Sequence, residues 1–446
     1  MPLPVQCAGE GEKQESSVTQ VAQRPEDTDV GDALADFQLV RQRSRSLVAP
    51  LEVEDFGVQP MADASPPKWH LAHTTWFFET FLLQPFLAGY QPLDARYSYL
   101  FNSYYNGIGA QFPRARRGQL SRPTVAEIMA YRDHVDAAMA TLVKTTADDE
   151  VLRRLVLGIH HEEQHQELLI TDLKYAFGHN PLQPAYGHAP AVAASQSAGA
   201  LTYSDLAGGL VEIGREPLAA LRRSSFSFDN ETPRHLVWLE PYRLADRCVT
   251  NAEYLAFMAD DGYGRPELWL ADGWAWLQQS QAPCAPLYWF EEDGRWWSYT
   301  LGGPQVLDLE GPVCHISGYE ADAYARWAGA RLPNEAEWEA AAAGSGAEGA
   351  FLEDGRFHPG NAAIGPLAAM RGDLWEWTSS AYGPYPGYRP LPGALGEYNG
   401  KFMANQLVLR GGSCATPRAH LRDSYRNFFY PPDRWQFTGV RLAQDA

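Results

Sequence analysis

The chain has 446 residues, 45% apolar and 20% charged, which are the proportions of a water-soluble globular protein. Its formal net charge of −19 argues against nucleic-acid or anionic-membrane surfaces as partners, since both need basic patches. The length exceeds one ordinary hydrophobic core, so two domains are expected, and no apolar run is long enough to cross a bilayer.

Residues 1–29 are polar and acidic, an expected disordered segment with neither the apolar core nor the basic flank of a secretory leader. Four helical patterns follow. The first covers residues 30–54. The second opens with "SPPKWHLAHTTWFFETFLL", where Ser65 is the expected cap and Pro66 and Pro67 suit the first turn. After a long connection, residues 91–123, "TVAE" offers Thr124 and Glu127 as a capping box for a third helix reaching about residue 144. The fourth covers 147–177, with Gly178 as its stop. Together these predict a four-helix bundle over residues 30–182.

An Ala/Gly/Ser/Pro-biased linker is expected over 183–205. From 206 to 446, short apolar runs, many Gly and Pro, and dense Trp and Tyr predict an irregular α+β domain with no internal repeat. Only "EADAYARWAGA" and "NEAEWEAAAAG" read as helices there. The fold class is therefore multidomain, α then α+β. Five scattered cysteines (Cys7, Cys248, Cys284, Cys314, Cys414) form no Cys-x-x-Cys pair, which fits a reducing, cytoplasmic setting.

The chemistry concentrates in "GIHHEEQHQELL". His161 and His165 are four apart, so on a helix both leave the same face and can hold one ion. In "WHLAH" on the second helix, His73 offers a third imidazole, and three ligands from two helices leave positions open for catalysis. His70 is a rival ligand. His160 points about a hundred degrees away from His161 and is read as structural. A solvated histidine-rich face is the bland alternative. A zinc protease would use Glu162 as general base, but no third ligand stands in a recognisable context downstream.

"WHLAH", "HHEEQH", "VTNAEYLAF", "ARLPNEAEWEAAA", "DLWEWTSS", "LRGGSC" and "FTGVRLA" together resemble the iron-dependent sulfoxide synthases of ergothioneine biosynthesis. The similarity runs from about residue 32 to 442. It implies a DinB-like four-helix bundle joined to a formylglycine-generating-enzyme-like domain of C-type-lectin type. The implied reaction joins the imidazole carbon of hercynine to a cysteine sulfur, with non-haem Fe(II) as cofactor and O₂ as co-substrate. By this resemblance the iron ligands are His73, His161 and His165. Gln164 and Asn427 fall on the hercynine side, Arg114 and Arg117 at the sulfur donor's carboxylate, and Phe428 and Phe429 among the substrate contacts. Tyr104 and Tyr105 resemble the proton-donating pair of one branch of the family.

Where many members carry an Asp that meets the donor's amino group, this chain has Phe429, which favours cysteine over γ-glutamylcysteine. A catalytic tyrosine expected after "WEW" has Tyr385 and Tyr388 as candidates. The ovothiol-type synthases, which carry a further methyltransferase domain, and a hercynylselenocysteine synthase are the nearest rivals. A formylglycine-generating oxidase would need a C-terminal cysteine pair, and Cys414 stands alone there.

Overall fold

A computed structural model of the chain describes residues 28–187, 197–217, 223–279, 283–345, 348–360 and 365–446. The expected disordered segment lies outside these residues up to position 27, as do positions 188–196 of the expected linker, whose last residues, from Tyr203, already belong to the first strand of the second half. The first half contains α1 (Thr28–Val48), α2 (Pro67–Phe78), α3 (Val125–Thr145) and α4 (Asp149–Gly178). The helix expected over 30–54 stops at Val48, because Pro50 lacks an N–H and disfavours helix in the residue before it. The cap of α2 is Pro66 rather than Ser65. Ser65 is used across the fold instead: its N–H donates to Asp172 (2.8 Å) and its hydroxyl accepts from Arg117 (2.9 Å). Thr124 and Glu127 form the expected capping box on α3. Asp148 caps α4, and Gly178 lies inside its last turn, with His179 as the C-cap.

Two features lock the four helices. Glu162 of α4 accepts from Arg41 (2.9 Å) and Ser44 (2.6 Å) of α1 and from Arg132 (2.8 Å) of α3, while Arg132 also donates to the Leu71 carbonyl of α2 (3.0 Å). Burial alone would raise the Glu162 pKa; Arg41 and Arg132 more than reverse it, to about 2. At Gly158 a Cβ would stand 2.4 Å from the Phe78 ring, so only glycine lets α4 approach α2 this closely, one turn before His161.

The second half is built from small sheets. β1 (Tyr203–Leu206), β2 (Gly209–Ile213), β3 (His235–Leu239) and β4 (Tyr242–Ala245) precede α5 (Asn251–Ala259) and α6 (Ala271–Leu277). A hairpin sheet, β5 (Trp289–Glu292), β6 (Arg295–Thr300) and β7 (Gly303–Val306), leads to α7 (Gly318–Trp327) and α8 (Glu335–Ala342). β8 (Trp375–Ala381), β9 (Leu407–Arg410), β10 (Asn427–Phe429), β11 (Thr438–Gly439) and β12 (Ala443–Asp445) complete it. The central sheet has the order β10-β9-β8-β11, and β12 closes a second sheet beside β4. The helices α5 and α6 correct the expectation of only two in this half; α5 carries its own capping box, Thr250 with Glu253. The core includes Trp338, Trp375 and Trp377, with Arg441 buried on Glu376 at 2.8 Å.

Helix α4 serves both halves. Residues 161 and 165 face the bundle, while the stripe 160, 164, 167 and 174 faces the second half. Glu167 accepts from Trp375 Nε1 (2.5 Å) and Thr416 (2.7 Å), and Lys174 donates to His315 Nε2 (2.7 Å). Among the described residues no helix is long and apolar enough to cross a membrane.

Candidate metal centre and its surroundings

His73 on α2 and His161 and His165 on α4 each present a ring nitrogen, all within 4.8 Å of one another. His73 Nε2 and His161 Nε2 are 3.3 Å apart. His73 Nδ1–H donates to the Phe101 carbonyl (2.6 Å), which leaves the lone pair on Nε2. His165 is set in a longer chain: its Nδ1 meets His70 Nδ1 (2.9 Å), and His70 Nε2 meets Asp172 (3.0 Å). The carboxylate can only accept, so His70 carries its proton on Nε2 and takes the His165 Nδ1 proton on its own Nδ1, freeing His165 Nε2. The rival His70 is thus hydrogen-bonded to the candidate ligand His165 instead of joining the set. Sequence spacing showed its proximity but not this link.

Burial pushes the pKa of His161 down to about 3, and burial plus the neighbouring imidazoles hold His73 and His165 well below the usual value. The rings are neutral, the state in which imidazole binds metal. Three neutral nitrogens converging where His73 and His161 are buried and His165 is half-buried, with proton-bearing nitrogens directed away on His73 and His165, fit a first-row divalent ion with open positions.

The His73 ring is one layer of a stack. Trp69 lies against it at 4.5 Å and 10°, Trp76 at 5.5 Å and 16°, and the Arg117 guanidinium sits 3.4 Å over Trp69. Arg117 is 4% exposed, unlike its neighbours Arg114 and Arg116 in the same basic stretch. Its guanidinium donates to Ser65 (2.9 Å) and Ser103 (3.1 Å), and no carboxylate among the described residues pairs with it. Arg114, by contrast, is exposed and donates to the Asp63 carbonyl.

Tyr104 and Tyr105 pack at 4.8 Å with their rings tilted by 34° in the connection after α2, and Tyr105 packs on Trp76 (5.6 Å). Asn102 braces this turn, accepting from the Tyr105 N–H (3.2 Å) and donating to the Tyr105 carbonyl (3.1 Å). Burial raises both phenols' pKa, so they stay protonated at neutral pH. Neither Tyr385 nor Tyr388 joins them. Tyr385 bonds Arg410 (3.1 Å) and Tyr388 bonds Asp229 (3.3 Å). The tyrosine after "WEW" that reaches the three-histidine cluster is Tyr398, 5.5 Å from His161 edge-on and 6.1 Å from Tyr104. Its sequence setting, "GEYNG", carries no signal of its own.

Gln164 Nε2 donates to Tyr425 (2.6 Å) in the second half. Asn427 opens β10 and accepts from the Phe428 N–H (2.9 Å). Phe428 stacks on Tyr382 at 4.0 Å and lies 6.0 Å from Phe402, which in turn meets Tyr104 at 5.1 Å. Phe429 packs edge-on to Trp435 (5.5 Å). The protease base is absent from the site, because Glu162 is bound to two arginines on the bundle side. Cys414 is fully buried, and burial raises its thiol pKa well above the usual value.

Residues 195–366 and 362–446 match the Sulfatase-modifying factor enzyme 1-like domain, and residues 36–169 match the DinB superfamily. The chain is 32% identical to Hercynine oxygenase of Mycolicibacterium smegmatis, over 93% of this chain and 99% of that protein. It is 34% identical to Hercynine oxygenase of Mycobacterium tuberculosis, over 91% of this chain and 97% of the relative. A Formylglycine-generating enzyme of Streptomyces coelicolor is 30% identical, but over only 49% of this chain and 82% of its own length.

Proposed function

The chain belongs to the hercynine oxygenase family and is an oxidoreductase, and on that footing we propose that it joins hercynine to cysteine in an Fe(II)- and O₂-dependent reaction. The product is hercynylcysteine sulfoxide. The imidazole C–H and the thiol S–H give up their hydrogens, a C–S bond forms, and one O₂ oxygen ends on sulfur and the other in water. The observation that carries this reading is the convergence of His73, His161 and His165, with Trp69 joining Arg117 and Trp76 joining Tyr105 and its neighbour Tyr104 to the His73 ring, and with Tyr398 of the other domain against His161.

His73, His161 and His165 would hold ferrous iron, which would supply redox chemistry toward O₂ and a positive charge that favours the ionised form of a thiol. The three imidazoles are neutral, so the chain itself would not offset the charge of such an ion. Arg117, buried and without a carboxylate of its own among the described residues, takes the cysteine carboxylate through its planar fork, with Arg114 outside it. Gln164 and Asn427 hold hercynine, with Phe428 as part of the wall. Phe429 lies against Trp435 and offers no charge to a donor ammonium, which favours cysteine over γ-glutamylcysteine. His70 and Asp172 fix the His165 tautomer. The decisive experiment is anaerobic reconstitution with Fe(II), then O₂, hercynine or histidine, and cysteine, γ-glutamylcysteine or selenocysteine in turn, with products read by mass spectrometry. Absence of a coupled product with every pair sinks the proposal.

The protonated phenols of half-buried Tyr104 and fully buried Tyr105 are linked to the His73 ring through Trp76. Replacing both by Phe should slow sulfoxide formation roughly 10²–10⁴-fold, the range of a lost general acid, or divert the enzyme to oxidising the thiol alone. The ratio of coupled product to oxidised cysteine reads this directly. A wild-type ratio and rate would place the proton donor elsewhere, with Tyr398 the next candidate.

A further inference from the structure

A second set of ligand atoms lies on the opposite side of α4. His160 Nδ1 and His420 Nδ1 are 2.9 Å apart, and Glu163 Oε2 is 3.2 Å from the first and 3.5 Å from the second. All three side chains are 0% exposed. His160 and Glu163 share a helix face at i and i+3, while His420 comes from the loop after "GGSCATPR" in the second half. His160 is held by stacking on Phe226 at 4.2 Å and 17°.

Two observations separate this cluster from an ordinary buried hydrogen-bond network. Glu163 Oε2 has no well-aligned hydrogen-bond partner although two ring nitrogens stand 3.2 and 3.5 Å from it, and the Nε2 atoms of both histidines are unpartnered as well. The three separations also bracket the roughly 3.3 Å edge of a tetrahedral site with metal–ligand bonds of about 2.0–2.1 Å.

The surrounding charge allows a cation. Arg223 and Arg43 contact the other Glu163 oxygen, and Arg422 is near, but each has a second carboxylate: Asp36 (3.5 Å), Glu353 (3.0 Å) and Glu231 (2.6 Å) respectively. With Glu163 there are four carboxylates for three guanidinium groups.

We infer that His160, Glu163 and His420 form a second, buried site for a small divalent transition ion, distinct from the His73–His161–His165 centre, which fastens α4 to the second domain. Two imidazoles and one carboxylate suit Zn(II), the probe of choice.

The test uses the full chain carrying His161→Ala and His165→Ala, stripped with chelator, dialysed against Zn(II) and then metal-free buffer, and assayed for metal by mass spectrometry. An equimolar amount of zinc should remain, and adding His420→Ala should lower it at least tenfold. No retained zinc in the double variant, or equal retention after His420→Ala, overturns the site. Should a variant fail to fold, zinc-edge anomalous diffraction from wild-type crystals decides: a peak within bonding distance of all three atoms supports the site, and its absence at full zinc occupancy of the first centre overturns it. Neither readout depends on turnover, so failure here leaves the proposed function standing.

Discussion

His161→Ala is expected to abolish turnover and to weaken metal binding by more than the roughly 10–100-fold that loss of a ligand's outer partner costs. His161 Nε2 stands 3.3 Å from His73 Nε2, on the helix that also carries His165, so removing it leaves two ligands on separate rods. The effect should be specific to the ion. Its ring packs against Phe77 at 4.5 Å, and His161→Gln keeps part of that volume while moving the donor atom. Anaerobic Fe(II) titration of both variants, read as the loss of one equivalent relative to wild type, with circular dichroism as a check on folding, reads the result. Retention of tight binding and coupled product by either well-folded variant would falsify the ligand assignment.

The second large effect is on stability. Glu162→Ala removes the carboxylate that Arg41 and Arg132 share, leaving two fully buried guanidinium groups with part of their bonding lost. Breaking a buried pair from one side costs about 3–5 kcal/mol, because the surviving charge stays desolvated. Arg41 keeps Asp136 at 2.6 Å, so the larger share of the cost falls on Arg132. The urea midpoint of the bundle transition should drop accordingly, with Glu162→Gln falling less because it keeps hydrogen bonds. An unchanged midpoint for Glu162→Ala would show that the network does not hold the helices together.

The same residue shows what could be read from the chain alone. Helical spacing correctly put His161 and His165 on one face, and Thr124 with Glu127 marked a helix start, because both signals are local. Ser65, Arg117 and Glu162 were different. Their partners lie 107, 52 and 121 positions away in Asp172, Ser65 and Arg41, and no local pattern reports such pairs. Tyr398 is placed by the irregular loop between β8 and β9, where periodicity offers nothing to align. Helix α5 was legible and passed over: Thr250 and Glu253 give the same capping signature that located α3.

The layering of Trp69, His73 and Trp76 has an optical consequence. Two indoles sandwich one imidazole of the metal cluster, so a paramagnetic ion arriving there has energy acceptor states within a few ångströms of both emitters. Filling the centre with Co(II) should dim the intrinsic ultraviolet emission stepwise to one equivalent, and Trp69→Phe with Trp76→Phe should remove most of that dimming. The protein thereby carries its own gauge of occupancy, usable in anaerobic titrations without a dye.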